Sequence, residues 1–142
     1  MKPILSFLTP KKVTDFISYK STLRQALEKF DAHKYTIVPI LDENGKYRGT
    51  ISEGDLLRYI KHMDNFTLED AENISINDID RYRSYSALKI TADFTEVLAL
   101  SLEQNFIPIV DDSNTYIGIV RRSDIIKYLY KELMPTFSDE NK

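Results

Sequence analysis

Ser52 and Asp55 stand three residues apart in GTISEGD, and Asp124 holds the matching place in IVRRSDI, where Arg121 replaces the hydroxyl. A hydroxyl followed three residues later by a carboxylate supports two kinds of chemistry. At the head of a helix the pair closes a capping box, the hydroxyl accepting from the third amide and the acid reaching back. The same head presents unpaired N–H groups and partial positive charge, so it also receives a phosphate, while the carboxylate accepts two hydrogen bonds from a ribose 2′,3′-diol. Ser52 and Asp55 fit both readings. The second segment fits the capping box less well, because Arg121 offers no hydroxyl and Asp124 keeps its position. Arg121 is then a guanidinium that pairs with phosphate, a residue that closes the site, or with Arg122 a solvated basic pair.

Other chemistry is poorly furnished. There is no cysteine, which removes disulfides, thiolate nucleophiles and Cys-based metal sites. His33 and His62 lie on different expected helices without a spacing that would put two metal ligands on one face, so no metal site is expected. No nucleophile elbow, P-loop or dinucleotide fingerprint occurs, and the 4 glycines leave little scope for a phosphate-cradling loop. The acidic pairs Asp42–Glu43 and Asp111–Asp112 fall in turn segments, where Asp bonds its own backbone. The expectation is a protein that is not an enzyme.

Composition agrees with a binding role. The chain has 142 residues, 42% hydrophobic and 29% charged, in the range of a single soluble globular domain. A formal net charge of -3 gives no positive field to draw nucleic acid or an anionic membrane surface, and neither is expected as a partner. The apolar run in MKPILSFLTPKK is too short for a secretory signal, and no later run approaches a membrane span, so the cytoplasm is the expected location.

The elements that must position these residues come from an internal repeat. YTIVPILDENGKYRGTISEGDLLRYI and QNFIPIVDDSNTYIGIVRRSDIIKYL align without a gap, placing Pro39 on Pro108, Asp42 on Asp111, Tyr47 on Tyr116, Gly49 on Gly118 and Asp55 on Asp124. Upstream, Leu23, Ala26, Leu27 and Phe30 match Phe94, Val97, Leu98 and Ser101, an amphipathic helical spacing in each copy. Thr22 with Gln25, and Asp93 with Glu96, supply helix starts. Short β-rich runs on either side of DENG and DDSN predict hairpins at Ile37 to Leu41 with Tyr47 to Ile51, and at Phe106 to Val110 with Tyr116 to Val120. Further strands are expected near Phe16 to Tyr19 and Ala87 to Thr91, and second helices carry Leu56, Leu57, Ile60, Met63 and Ile125, Ile126, Leu129, Leu133. The fold class is therefore α/β (α+β): tandem β-α-β-β-α repeats packed as a pseudo-twofold pair, since neither small sheet makes a stable core alone. The expected boundaries are repeat one at 7–63, a polar linker at 64–84, repeat two at 85–134 and a frayed tail at 135–142.

IVPILDENGKYRGTISEGDLL and FIPIVDDSNTYIGIVRRSDII, occurring in tandem, resemble the CBS-domain family over most of the chain. The likeness lies in the Pro of the first hairpin strand, the Gly opening the second and the Asp six residues on, each present twice. The chain resembles a free-standing CBS pair, or Bateman module. The resemblance implies a non-enzymatic regulatory module with no resident cofactor. Its implied ligand is an adenosine-containing nucleotide such as AMP, ADP, ATP, S-adenosylmethionine or cyclic di-AMP, held in clefts between the repeats. Carried over by residue, one cleft combines Arg121 and Asp124 with Ser21, Ala26 and Tyr35, and the other combines Ser52 and Asp55 with Ala92, Val97 and Gln104. Tyr35 either stacks on adenine or keeps its hydroxyl in water at a strand edge. Ala92 stands where the family usually has a hydroxyl.

Arg81, Arg83, Lys11 and Lys12 are further cations that reach phosphates or remain solvated. A homodimer is expected, with Tyr59, Met63, Tyr128 and Tyr130 forming its interface or belonging to the core. The rival expectation is a structural dimerisation module with no physiological ligand.

Overall fold

A computed structural model describes residues 2–33 and 35–140, and of 135–140 the backbone alone. The N-terminal segment turns through a 3-10 helix at Ile4–Phe7 into a short strand, β1 (Leu8–Pro10), and a second 3-10 turn at Lys11–Val13. The first repeat follows as β2 (Ile17–Ser18), α1 (Leu23–His33), β3 (Ile37–Leu41), β4 (Tyr47–Ser52) and α2 (Glu53–Lys61). A connector holds the one-turn helix α3 (Leu68–Ala71) and a 3-10 turn at Ile76–Asp78. The second repeat is β5 (Leu88–Lys89), α4 (Phe94–Ser101), β6 (Phe106–Val110), β7 (Tyr116–Arg121) and α5 (Arg122–Glu140). The mixed α/β class and the β-α-β-β-α order are as the repeat implied. The backbone of 135–140, expected as a tail, continues α5, because the apolar spacing that defined the helix ends at Leu133 and gave no sign of the polar turns beyond it. Residues 141 and 142 lie outside the described residues.

Helices α1 to α4 each begin where a side chain satisfies orphan amides. The Thr22 hydroxyl accepts from the Gln25 amide at 3.2 Å and the Gln25 side chain accepts from the Thr22 amide at 2.9 Å. Ser52 with Asp55, and Asp93 with Glu96, close capping boxes at α2 and α4. Each such cap stabilises its helix by about 1 kcal/mol. The hairpins turn on Asp42 and Asp111, whose Oδ1 atoms accept from the amides two and four residues on at 2.8 to 2.9 Å. Gly45 (φ +76) and Asn114 (φ 64) take the left-handed conformation these turns need.

The two halves exchange edges. β1 precedes the first repeat but pairs antiparallel with β7 of the second, giving the sheet order β1-β7-β6-β5. Conversely, the connector before the second repeat runs along β4 of the first: the Thr50 amide donates to Ser84 Oγ at 3.1 Å, and the Tyr85 amide donates to Thr50 Oγ1 at 2.8 Å. The hairpin turns also join. The Tyr47 amide donates to the Asn114 carbonyl at 3.1 Å and the Tyr116 amide to the Gly45 carbonyl at 3.0 Å. Two cores result. One gathers Leu23, Phe30, Val38, Ile51 and Leu56, and the other Phe94, Val97, Ile107, Ile109, Val120 and Ile125. Each buried aliphatic or aromatic side chain contributes about 1.5–3 kcal/mol.

The connector is less independent than its polarity suggested. Ala71, Ile76 and Ile79 are buried in the first core, and the Leu23 amide donates to the Ile74 carbonyl at 2.8 Å. Among the described residues, no helix is long and apolar enough to cross a membrane.

Candidate functional site

A cavity of about 520 Å³ opens between the halves. On the first-repeat side its wall is Tyr35, Thr36 and Ile37, where the chain enters β3. On the second-repeat side stand Ile119, Arg121, Arg122 and Ser123, the end of β7 and the head of α5. Thr14 and Asp15 close it from the N-terminal segment, and Phe106 and Ile126 add apolar surface. This size is ordinary for a small-molecule site with apolar walls and a few converging polar groups.

The internal repeat makes a second, smaller cavity of about 360 Å³, in which Ser52, Glu53 and Gly54 hold the places of Arg121, Arg122 and Ser123. Thr36, Ile37 and Asn105 line both. Thr36 and Asn105 also fasten the helix heads: the Glu53 amide donates to the Thr36 carbonyl and the Arg122 amide to the Asn105 carbonyl, each at 2.9 Å. The register between strand entry and helix head is thus the same in both halves, and only the side chains differ.

Those side chains make the larger cavity the electropositive one. Arg121 is exposed and, among the described residues, makes no ion pair. Arg122 is half-buried and its Nε donates to the Ser101 carbonyl at 2.6 Å, tying its guanidinium to the end of α4. Both lie at the N-terminal end of α5, where the helix dipole adds positive potential. Facing them, Tyr35 is 45% exposed and stacks beside His33 with ring centroids 6.5 Å apart. Asp15, with Lys29 and His33 each 3.9 Å away, is the carboxylate of this cavity. The smaller cavity instead carries Glu53 and Glu103 beside Arg58 and Arg83.

The expected site residues divide accordingly. Tyr35 and Arg121 both line the larger cavity. Ala26 is fully buried in the first core, and Ser21 is buried beside it with its carbonyl accepting from the Ile76 amide at 3.0 Å. Asp124 is half-buried and lines an outer groove with Lys127, Tyr128 and the N-terminal Ser6 and Thr9. In the other set, Ser52 lines the smaller cavity, while Asp55 is 1% exposed and paired within the chain. Val97 is core, Ala92 packs against that core, and Gln104 is a structural clasp: its Nε2 donates to the Ser86 and Phe106 carbonyls and its Oε1 accepts from the Ser86 amide at 2.8 Å. Thr14 and Asp15 escaped sequence reasoning because they precede the repeat motifs. Their only signal is a polar pair directly before a strand.

The electrostatics of the turns are local. The backbone amide of Thr115 holds the Asp111 carboxyl below the usual carboxylate range. Burial pushes the Tyr116 hydroxyl up to about 12, opposed by its 2.8 Å hydrogen bond with Thr14, and burial raises Tyr47 as well.

Comparison with known proteins places this geometry. The model of the CBS domain matches residues 9–62 and 83–131. CbpB of Listeria monocytogenes, solved in complex with c-di-AMP, superposes with a TM-score of 0.80 at 19% identity, covering 92% of this chain and 96% of that one. CBSX2, solved in complex with AMP, superposes with a TM-score of 0.67 at 20% identity over 92% of this chain and 98% of the other. The homoserine O-acetyltransferase of Methanocorpusculum labreanum is 26% identical over 121 residues, 80% of this chain but 23% of that protein. An uncharacterised protein of Methanocaldococcus jannaschii matches 86% of this chain over 46% of its own length, so the chain spans less than half of the curated relatives it matches. With a tandem match over most of its length and the paired architecture to go with it, the chain belongs to the CBS-domain family.

Proposed function

We propose that the chain is a non-catalytic regulatory module that binds an adenosine-containing nucleotide in the cavity between its two CBS domains and passes the occupancy on to a partner protein. The observation that carries this reading is the pairing, in the lining of one cavity, of an exposed arginine at a helix head with an aromatic ring just before the facing strand β3. Arg121 and the α5 amides suit phosphate, and Tyr35 suits a purine face, where stacking contributes about 1–3 kcal/mol. Asp15 suits the hydrogens of a sugar diol or an exocyclic amine. The complexes of CbpB with c-di-AMP and of CBSX2 with AMP support the ligand class. Asp124 belongs to the proposal as a sugar contact reached from the outer groove beside the α5 head.

Thermal shift and calorimetric titration with AMP, ADP, ATP, S-adenosylmethionine and cyclic di-AMP test the proposal. A bound ligand at a hundred times its dissociation constant adds about 2.7 kcal/mol of stability. No shift with any member of the panel would overturn it.

A specific observation also favours self-association. Leu57 of α2 and Ile126, Tyr130 and Leu133 of α5 are 57% to 61% exposed, an apolar surface of the kind that copies of a chain bury against each other. Tyr59 and Tyr128, by contrast, pack against the two cores. A Tyr130→Glu, Leu133→Glu double variant should sediment as a monomer if that face joins two copies. A wild type that is monomeric at high concentration would exclude it.

A further inference from the structure

Asp55 and Asp124 are counterparts in the internal repeat, yet the chain treats them differently. Asp55 is 1% exposed and every donor it accepts from is its own: Oδ2 takes the Ser52 amide at 2.9 Å, and Oδ1 takes the Tyr82 amide at 2.9 Å and Arg58 Nη2 at 2.6 Å. The same guanidinium lies over the Tyr82 ring, 5.1 Å from its centroid, so one side chain grips both the carboxylate and the connector. On either side the connector is fastened again, Arg81 Nη1 donating to the Arg48 carbonyl at 2.7 Å and Ser84 Oγ accepting from the Thr50 amide. It passes so close to Gly49 that a Cβ there would stand 2.2 Å from Ser84 Oγ. In the second half the place of Arg58 is taken by Lys127, and among the described residues Asp124 has neither a side-chain hydrogen bond nor an ion pair. A lysine has no planar fork with which to hold an acid and an aromatic ring together.

We propose that Arg58 determines which of the two cavities takes ligand. Anchored on Asp55 and lying over the Tyr82 ring, both arginine and ring at the wall of the smaller cavity, it holds the connector across that cavity and leaves the Arg121 cavity as the single seat, one nucleotide per chain. This rests on the nucleotide reading above and adds its stoichiometry and the residue that sets it. Glu53 and Glu103 work in the same direction: with Arg58 committed to Asp55, Arg83 is, among the described residues, the one remaining lining cation set against them, so the smaller cavity opposes a phosphate.

The test compares wild type with Arg58→Gln, and with Arg58→Lys as a milder variant. The Arg58 side chain is 49% exposed, so both variants should fold. Calorimetry with AMP should give one site per wild-type chain, and R58Q should keep that affinity within about twofold. Titration with adenosine, which lacks the phosphate that the two glutamates oppose, should show a second site in R58Q alone. Amide exchange at Tyr82 should be at least about tenfold faster in R58Q than in wild type, with R58K between them. Two AMP molecules per wild-type chain, or no second adenosine site in R58Q, would overturn the proposal. If wild type binds neither probe, the nucleotide reading fails, and Tyr82 exchange decides the latch alone: unchanged exchange in R58Q overturns it, and faster exchange upholds it without the ligand assignment.

Discussion

Arg58 Nη2 stands 2.6 Å from Asp55 Oδ1, and that carboxylate is all but sealed from water while the guanidinium is half exposed. A buried acid with an intramolecular partner for each oxygen is a structural element, whatever else the helix head does. Asp55→Ala leaves the Ser52 and Tyr82 amides without their acceptor and Arg58 without its partner, and keeps only the Ser52 arm of the α2 capping box, which should cost about 2–4 kcal/mol. Asp124→Ala removes a half-buried acid whose side chain makes no hydrogen bond among the described residues, and should cost less than about 1 kcal/mol. Urea denaturation of the two variants measures both numbers, and equal losses would show that burial does not separate the two acids.

Gly118 carries the exchange of edges between the halves. Its φ is +152, and a Cβ would meet the Thr9 carbonyl oxygen at 2.2 Å, a backbone atom of β1 that cannot swing aside. Gly118→Ala must therefore push β1 off β7 or distort the strand, at about 2–4 kcal/mol from strain and overpacking together. Gly49 meets side-chain atoms of Ser84 and Arg81, which can move, so Gly49→Ala should be the milder change despite its φ of +95. Thermal unfolding of both variants gives the order, and a milder Gly118→Ala would contradict the packing of β1.

In the larger cavity, charge predicts two distinguishable losses. Arg121→Ala should weaken AMP binding by about tenfold or more, the contribution of one charge-assisted contact, and leave stability within about 0.5 kcal/mol because the side chain is exposed. Asp15→Asn should also weaken nucleoside binding, but equally for adenosine and AMP, since the acid faces hydrogens rather than phosphate. Arg121→Ala should discriminate between those probes. Calorimetry with both ligands checks the pattern, and an Arg121→Ala loss that is the same for adenosine would remove the phosphate assignment.

Most of the architecture could be read from the chain because the repeat states it twice. The hairpin strands at Ile37–Leu41 and Phe106–Val110 fall where the apolar runs and the Asp turns put them, and the caps at Thr22, Ser52 and Asp93 form as spaced. What escaped is non-local. Nothing in Leu8–Pro10 reveals that it will pair with a strand more than a hundred residues later, since a three-residue edge strand is specified by the sheet it joins. Likewise Ala71, Ile76 and Ile79 are scattered among acids, and only their burial shows the connector to be part of a core.

The site divides in the same way. The resemblance put Tyr35 and Arg121 in one cleft, and both line the larger cavity. Asp55 was not legible, since a carboxylate three residues after a hydroxyl reads identically as cap and as ligand contact. The deciding partner, the Tyr82 amide, lies in the connector, where sequence carries no pattern. Asp15 gained its place from the path of the N-terminal segment across the opposite half.

The paired tyrosines of the two hairpins give the protein an alkaline limit. Tyr116 is 1% exposed, and its hydroxyl meets Thr14 at 2.8 Å; Tyr47 donates to the Tyr85 carbonyl at 2.5 Å. Burial raises both, Tyr116 to about 12, whereas an unfolded tyrosine ionises near 10. Between those values the folded chain holds a proton that the unfolded chain has released, so stability is complete below about pH 10 and falls as pH rises toward 12. For Tyr116 the fall is on the order of 3 kcal/mol, at about 1.4 kcal/mol per unit of displacement. Tyr116→Phe should lose the Thr14 contact at neutral pH yet show a flatter decline above pH 10, and the Tyr47→Phe, Tyr116→Phe double variant should be flatter still. Denaturation midpoints at neutral pH and across the alkaline range measure the slopes. A double variant that declines as steeply as wild type would show that neither hydroxyl is buried as the structure has it.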